Sequence, residues 1–169
     1  MEYFDVYARD GEKLDKAVPR GTKLKAHEYF LVVHIWVHNN NHQYLVQKRA
    51  KKTDRNPGLW ATTSGLVLKD ENPLEAARRE LYEELSIATS NDALSLVDIV
   101  RTDEGPYRTI THVYRLKKDV IIEQLTLETE EVAQVQWLSL ERIEMMANDG
   151  LFWDYRKLLR DPDYFKRLE

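Results

Sequence analysis

The sequence predicts a mixed α+β fold in which a mixed β-sheet packs between helices. Three observations lead there. Short runs rich in β-branched and aromatic residues outnumber helical runs. One strongly periodic amphipathic helix sits in the middle of the chain, and the remaining helical segments gather at the carboxyl end.

Taken in order, EYFDVYA (2–8) reads as a strand followed by an Asp10-Gly11 turn, the start of an N-terminal strand or hairpin over about 1–25. YFLVVHIWV (29–37) and QYLVQKRA (43–50) flank Asn39-Asn40-Asn41 and predict a hairpin. NPGLWATTSGLVL (56–68) offers a turn at Pro57-Gly58 and then short extended segments. LSLVDIVRT (94–102) and YRTITHVYRL (107–116) predict two more strands around an Asp103–Pro106 turn, and AQVQWLSL (133–140) the last. Helices are predicted over 73–85, 141–148 and 151–160, with a final turn from Pro162. At 169 residues the chain suits one domain, 1–169, with its core over about 26–148 and C-terminal helices over about 149–169.

Composition narrows the function. Hydrophobic residues make up 43% and charged residues 32%, the balance of a soluble globular protein. The longest apolar run, Tyr29 to Val37, is too short to span a bilayer, and no secretory signal opens the chain. Lack of cysteine removes disulfides, thiolate metal sites and cysteine nucleophiles, and fits a cytoplasmic location. With 25 Lys+Arg against 29 Asp+Glu, the net charge of −4 offers no global attraction for nucleic acid or anionic membranes. A phosphorylated substrate would need a local device to overcome that charge.

The central helix supplies a candidate. Asn72 suits the N-cap, Pro73 the first helical position, and Glu75 a capping box. With Glu80 placed at zero, Glu84 falls near about 40° and Glu83 near about −60°, one acidic arc beside an apolar stripe of Leu74, Ala77, Leu81 and Leu85. Like charges at these spacings repel, and the negative pole of the helix dipole adds to the repulsion. A solvated charged face is the plain alternative. A hard divalent cation such as Mg²⁺ removes the repulsion and accepts phosphate oxygens in its remaining positions.

The stretch GLVLKDENPLEAARRELYEELSI (65–87) resembles the Nudix box, G-x5-E-x7-R-E-U-x-E-E-x-G-U, where U is aliphatic. Gly65, Glu71, Arg79, Glu80, Leu81, Glu83, Glu84 and Ile87 fall in register, eight of nine fixed positions. Ser86 replaces the last glycine, where a left-handed backbone is common, and Asp70 stands where many relatives carry another glycine. The resemblance implies a Nudix-type α/β/α sandwich and hydrolysis of a small-molecule diphosphate by water attack on phosphorus, with Mg²⁺ or Mn²⁺. It makes Glu80, Glu83 and Glu84 metal ligands. It has Arg79 orient a glutamate, foremost Glu83, and Glu71 anchor the loop, with Arg79 as a candidate partner. Gly65 would let backbone approach the metal or phosphate. Glu131, on the loop before the last strand, is the candidate general base, with Glu80 as the alternative. Arg49, among Lys48, Lys51, Lys52 and Arg55, is the candidate phosphate contact, set against an exposed basic loop. The N-terminal strand and C-terminal helices could supply a homodimer surface.

Two other readings stand beside this one. HIWVHNNNHQYLVQKRAKKTDRNPGLW also resembles isopentenyl-diphosphate isomerases, which share the fold but use a cysteine before the box glycine and a histidine after it. This chain has Ser64 and Leu66 there. A binding module that kept the fold and lost the chemistry would be expected to lose box glutamates, which are all present.

Overall fold

The computed structural model describes residues 1–52, 55–103 and 108–169. Its centre is β3 (Phe30–His38), which pairs in parallel with all nine residues of β8 (Thr109–Lys117) and antiparallel with β6 (Thr63–Leu66). β7 (Leu94–Thr102) lies antiparallel on the far side of β8. A second group consists of β4 (Gln43–Arg49) between β9 (Val132–Ser139) and β5 (Trp60–Ala61), all antiparallel. The predicted β3–β4 hairpin is real only at its tip, where His38 faces Tyr44. The Asn39 side chain closes the turn by accepting from the amides of Asn41 and Gln43. Beyond it the strands part, because β6 occupies the flank of β3 that β4 would need. The turn is therefore a junction between two arms of one seven-stranded sheet.

Side-chain alternation explains the layers. Leu31, Val33, Ile35 and Val37 of β3 enter one core, under α1 (Pro73–Leu85), and Trp36 enters the other. A strand with a parallel partner is commonly buried on both faces, as β3 is. The second core is closed by α2 (Leu140–Asn148), capped by Ser139, and by the C-terminal segment. At the amino end, β1 (Tyr3–Tyr7) and β2 (Lys13–Pro19) form an antiparallel hairpin, joined to the start of β3 by paired amides of Tyr7 and Tyr29. β2 supplies the second strand of the hairpin expected over about 1–25, although its KLDKAVP run alternates weakly.

The helix predicted over 151–160 shrinks to α3 (Tyr155–Leu158). Residues 151–153 instead extend β5: the Trp60 amide donates to Leu151 O at 3.0 Å and the Trp153 amide to Trp60 O at 2.8 Å. The turn from Pro162 leads into a short 3-10 helix, Phe165–Leu168. Most of the predicted Asp103–Pro106 turn lies outside the described residues. Among the described residues no helix is long and apolar enough to cross a membrane.

One buried hydroxyl ties the carboxyl end to β3. Tyr164 Oη accepts from Trp36 Nε1 at 2.9 Å and lies 2.7 Å from His34 Nδ1. Burial pushes the His34 imidazole down to about 3, so it is neutral and shares one hydrogen bond with the tyrosine hydroxyl through Nδ1. Tyr164→Phe strands both ring nitrogens in the core. It should destabilise the chain by about 2 kcal/mol, read as a lowered midpoint in denaturant titration.

Candidate functional site

The site grows from α1. Asn72 Oδ1 accepts from the Glu75 amide at 3.0 Å and the Asn72 amide donates to Glu75 Oε2 at 2.8 Å, completing the capping box. At the other end Ser86 takes the left-handed conformation, φ 57° and ψ 26°. That backbone costs a serine on the order of 1 kcal/mol relative to glycine. Its hydroxyl offsets part of the cost by accepting from the Thr126 amide at 2.7 Å. The Glu128 amide donates to Glu84 O at 3.0 Å, so the loop carrying Glu131 docks on the helix terminus. Asp70 is likewise left-handed, φ 63°.

The acidic arc is not an open face. Ala76, Ala77, Leu81 and Leu85 are buried, and Glu84 is buried with them. Glu80 lies over β6, where a Cβ on Gly65 would fall 2.0 Å from Glu80 Oε1. The missing side chain of Gly65 is thus the cradle of a carboxylate. Glu83, by contrast, keeps 59% of its side chain exposed.

One guanidinium serves the whole cluster. Arg79 donates through Nε to Glu71 Oε1 at 2.8 Å and through Nη2 to Glu71 Oε2 and Leu66 O, both at 3.0 Å. Nη1 donates to Glu80 Oε1 at 2.6 Å and to Glu83 Oε2 at 3.3 Å. Arg79 thus holds both Glu80 and the expected Glu83, the shorter bond going to Glu80, while Glu83 lies out toward solvent. Glu71 also accepts from the Leu68 amide at 2.9 Å, fixing the loop ahead of the helix. Burial alone would lower the Arg79 pKa, but bonds to Glu71 and Glu80 outweigh it and raise it.

One cation does not neutralise four acids. Desolvation raises Glu80 to about 7 against the pull of Arg79, and raises Glu84 to about 8 with the help of the Glu80 charge. Glu84 is steadied by Gln47, whose Nε2 donates to Oε2 at 2.8 Å while Thr63 Oγ1 donates to its Oε1 at 3.3 Å. Gln47 was not among the residues expected from the sequence; its signal there is a polar residue directly after the run YLV of β4, on the same strand face as Leu45 and Arg49.

That alternation aims Arg49 at the same cleft, where its charge lowers the Glu84 pKa. The guanidinium lies 5.3 Å from the Trp153 ring centre, and Nε donates to Arg55 O at 2.8 Å. Glu131 is exposed and adds its negative charge to the field that raises Glu84. Of the other basic residues, Lys52 is paired with Glu130 at 2.9 Å. The structure therefore brings Arg79, Glu80, Glu84, Gly65, Arg49 and Glu131 to one region, with Glu83 at its solvent edge. Among the described residues no three acidic or imidazole side chains converge as a preformed cage. The donor chemistry nonetheless suits a hard cation: all oxygen, with the buried Glu84 and the half-buried Glu80 one turn apart and Arg79 the guanidinium bonded to Glu80.

The NUDIX domain family matches residues 28–161. An uncharacterized Nudix hydrolase of Listeria innocua is 36% identical over 158 residues, covering 92% of this chain and 90% of its own. Isopentenyl-diphosphate Delta-isomerase of Pectobacterium atrosepticum is 27% identical over 165 residues, covering 92% and 90%. In fold, the chain is similar to DR0079 from Deinococcus radiodurans, with a TM-score of 0.76, 21% identity, and coverage of 94% and 98%. The NUDIX domain of NrtR from Shewanella oneidensis, solved with ADP ribose, aligns with a TM-score of 0.61 at 17% identity, covering 90% and 94%.

Raised carboxyl pKa values give the metal-free protein a pH signature. Unfolded glutamates titrate near 4.5, so up to about pH 8 the folded chain holds more protons at Glu80 and Glu84, and stability falls as pH rises. Neutral His34 acts in the opposite sense below its ordinary value of 6.5. The melting temperature in chelator should therefore drop between pH 6.5 and pH 8.5, and Glu84→Gln should flatten the drop. A second expectation concerns Gly65→Ala, whose methyl meets the movable end of Glu80. The fold should survive, seen in an unchanged circular dichroism spectrum, while divalent-cation affinity measured by calorimetry falls.

Proposed function

The chain belongs to the Nudix family, and we propose that it hydrolyses the diphosphate linkage of a small nucleoside-diphosphate-type substrate with Mg²⁺, Mn²⁺ serving in its place. The observation that carries this reading is the desolvated pair Glu80 and Glu84, one turn apart and held by Arg79 and Gln47, whose raised pKa values show that their ionised forms lack enough positive charge nearby. Glu80 and Glu84 would hold the cation, joined by Glu83. Bound there, a divalent cation supplies positive charge to the diphosphate and makes the attacking water more acidic.

The chain's own residues do the rest. Arg79 fixes the Glu80 carboxylate and ties it through Glu71 to the loop. Gln47 orients Glu84 by occupying one of its oxygens. Arg49, braced on Trp153, takes charge from a phosphoryl group. Glu131 accepts the proton of the attacking water, and its exposure suits a group that must return that proton to solvent. Glu80 is the alternative acceptor.

Likeness to an isomerase does not extend to its chemistry. Ser64 and Leu66 flank Gly65 on β6, so neither a thiol nor an imidazole stands beside the box glycine to move protons at carbon.

The test is nucleoside monophosphate formation, read by chromatography, from a panel of nucleoside diphosphates, ADP-ribose and nucleoside-diphosphate sugars, with Mg²⁺ and with chelator, and with isopentenyl diphosphate alongside. Hydrolysis of a panel member only with the metal is expected, with no isomer formed. Glu84→Gln should lower turnover by orders of magnitude while the metal-free melting temperature holds or rises. Tight binding of a panel member without turnover would instead favour a binding module.

A further inference from the structure

The family match begins at residue 28, leaving the β1–β2 hairpin outside it. Yet the hairpin reaches the box loop directly. The Lys69 amide donates to Tyr3 O at 2.8 Å, and the Asp70 amide donates to Asp5 Oδ2 at 2.8 Å. Asp5 is only 3% exposed and holds Lys13 Nζ on the same oxygen at 2.8 Å, while Lys13 also meets Asp70 Oδ1 at 3.3 Å. A β-bulge shifts the β1–β2 register between Asp5 and Tyr7, the device by which strands re-aim a side chain. What Asp5 grips is the left-handed Asp70, φ 63°, a conformation disfavoured by a Cβ. The next residue is Glu71, which clamps Arg79, which in turn holds Glu80.

We propose that Asp5 is a positioning residue for the active site, holding the strained Asp70 backbone so that Glu71, Arg79 and Glu80 keep their alignment. The hairpin is then a working part of the enzyme. This inference rests on the hydrolase reading for its effect on turnover, but not for its effect on the loop.

Asp5→Ala removes the acceptor, Asp5→Asn keeps one, and Asp70→Gly relieves the strain that makes it necessary. Three readouts separate the possibilities: amide hydrogen exchange over residues 68–71, Mn²⁺ affinity by electron paramagnetic resonance, and kcat against KM on the best substrate of the panel. Asp5→Ala should speed exchange there, weaken Mn²⁺ binding and lower kcat, the latter two by about tenfold, with little change in KM. Asp5→Asn should stay near wild type, and the double variant Asp5→Ala, Asp70→Gly should regain most of the loss, a rescue that general destabilisation of the hairpin would not give. Should Asp5→Ala fail to fold, Asp5→Ser, whose hydroxyl stops short of the Asp70 amide, takes its place. Unchanged exchange and Mn²⁺ affinity in the single variant, or no recovery in a folded double variant, overturns the proposal. A wild type that neither binds Mn²⁺ nor turns over the panel sinks the hydrolase reading instead, and the exchange measurement still decides the role of Asp5.

Discussion

Everything in this site is arranged around the Arg79 guanidinium. Its planar fork reaches two oxygens of Glu71, one of Glu80, one of Glu83 and the Leu66 carbonyl. A lysine ammonium could not span that set, because it lacks the fixed divergent donors. By joining the loop, the helix and β6 in one grip, Arg79 makes three separate elements into a single surface. Burial raises the stakes: an unpaired charge here would be costly, so geometry is enforced by electrostatics as well as by packing.

The clamp is deliberately insufficient. It leaves Glu84 to a neutral partner, Gln47, and leaves both inner carboxylates reluctant to ionise. Such a site holds protons when empty, and a doubly positive ion would favour the ionised carboxylates by displacing them. Gly65 shows the same economy in steric form, because omitting one side chain makes room for the glutamate beside the sheet. Local strain at Asp70 and Ser86 flanks this region, and each strained residue is supported by a hydrogen bond from elsewhere in the chain.

Much of this was legible in the sequence where the information is local. The helix over 73–85 is announced by Asn72, Pro73 and Glu75, and the spacing of Glu80, Glu83 and Glu84 sets their common side before any tertiary contact exists. The strand over 94–102 also follows from its own composition. What was hidden is what depends on distant partners. Gln47 looks like a defect in a buried strand until β4 is laid against the helix. Asp5 looks like a surface acid until its strand bulges toward Asp70. The apolar run over 151–160 has helical character, but an open edge at Trp60 captures its first residues. The junction at Asn39 carries an ordinary hairpin signal, and only competition from β6 reveals that the two strands separate.

The parallel ladder at the centre has a consequence for biosynthesis. Phe30 must lie beside Thr109 and His38 beside Lys117, so the middle of the sheet cannot close until the second of these strands has left the ribosome. Until then the capped helix can form, but the platform beneath its acids is incomplete. Between synthesis of these two strands the nascent chain therefore carries a strand with an unpaired edge and apolar faces that await distant partners, the condition in which β structure is most open to aggregation.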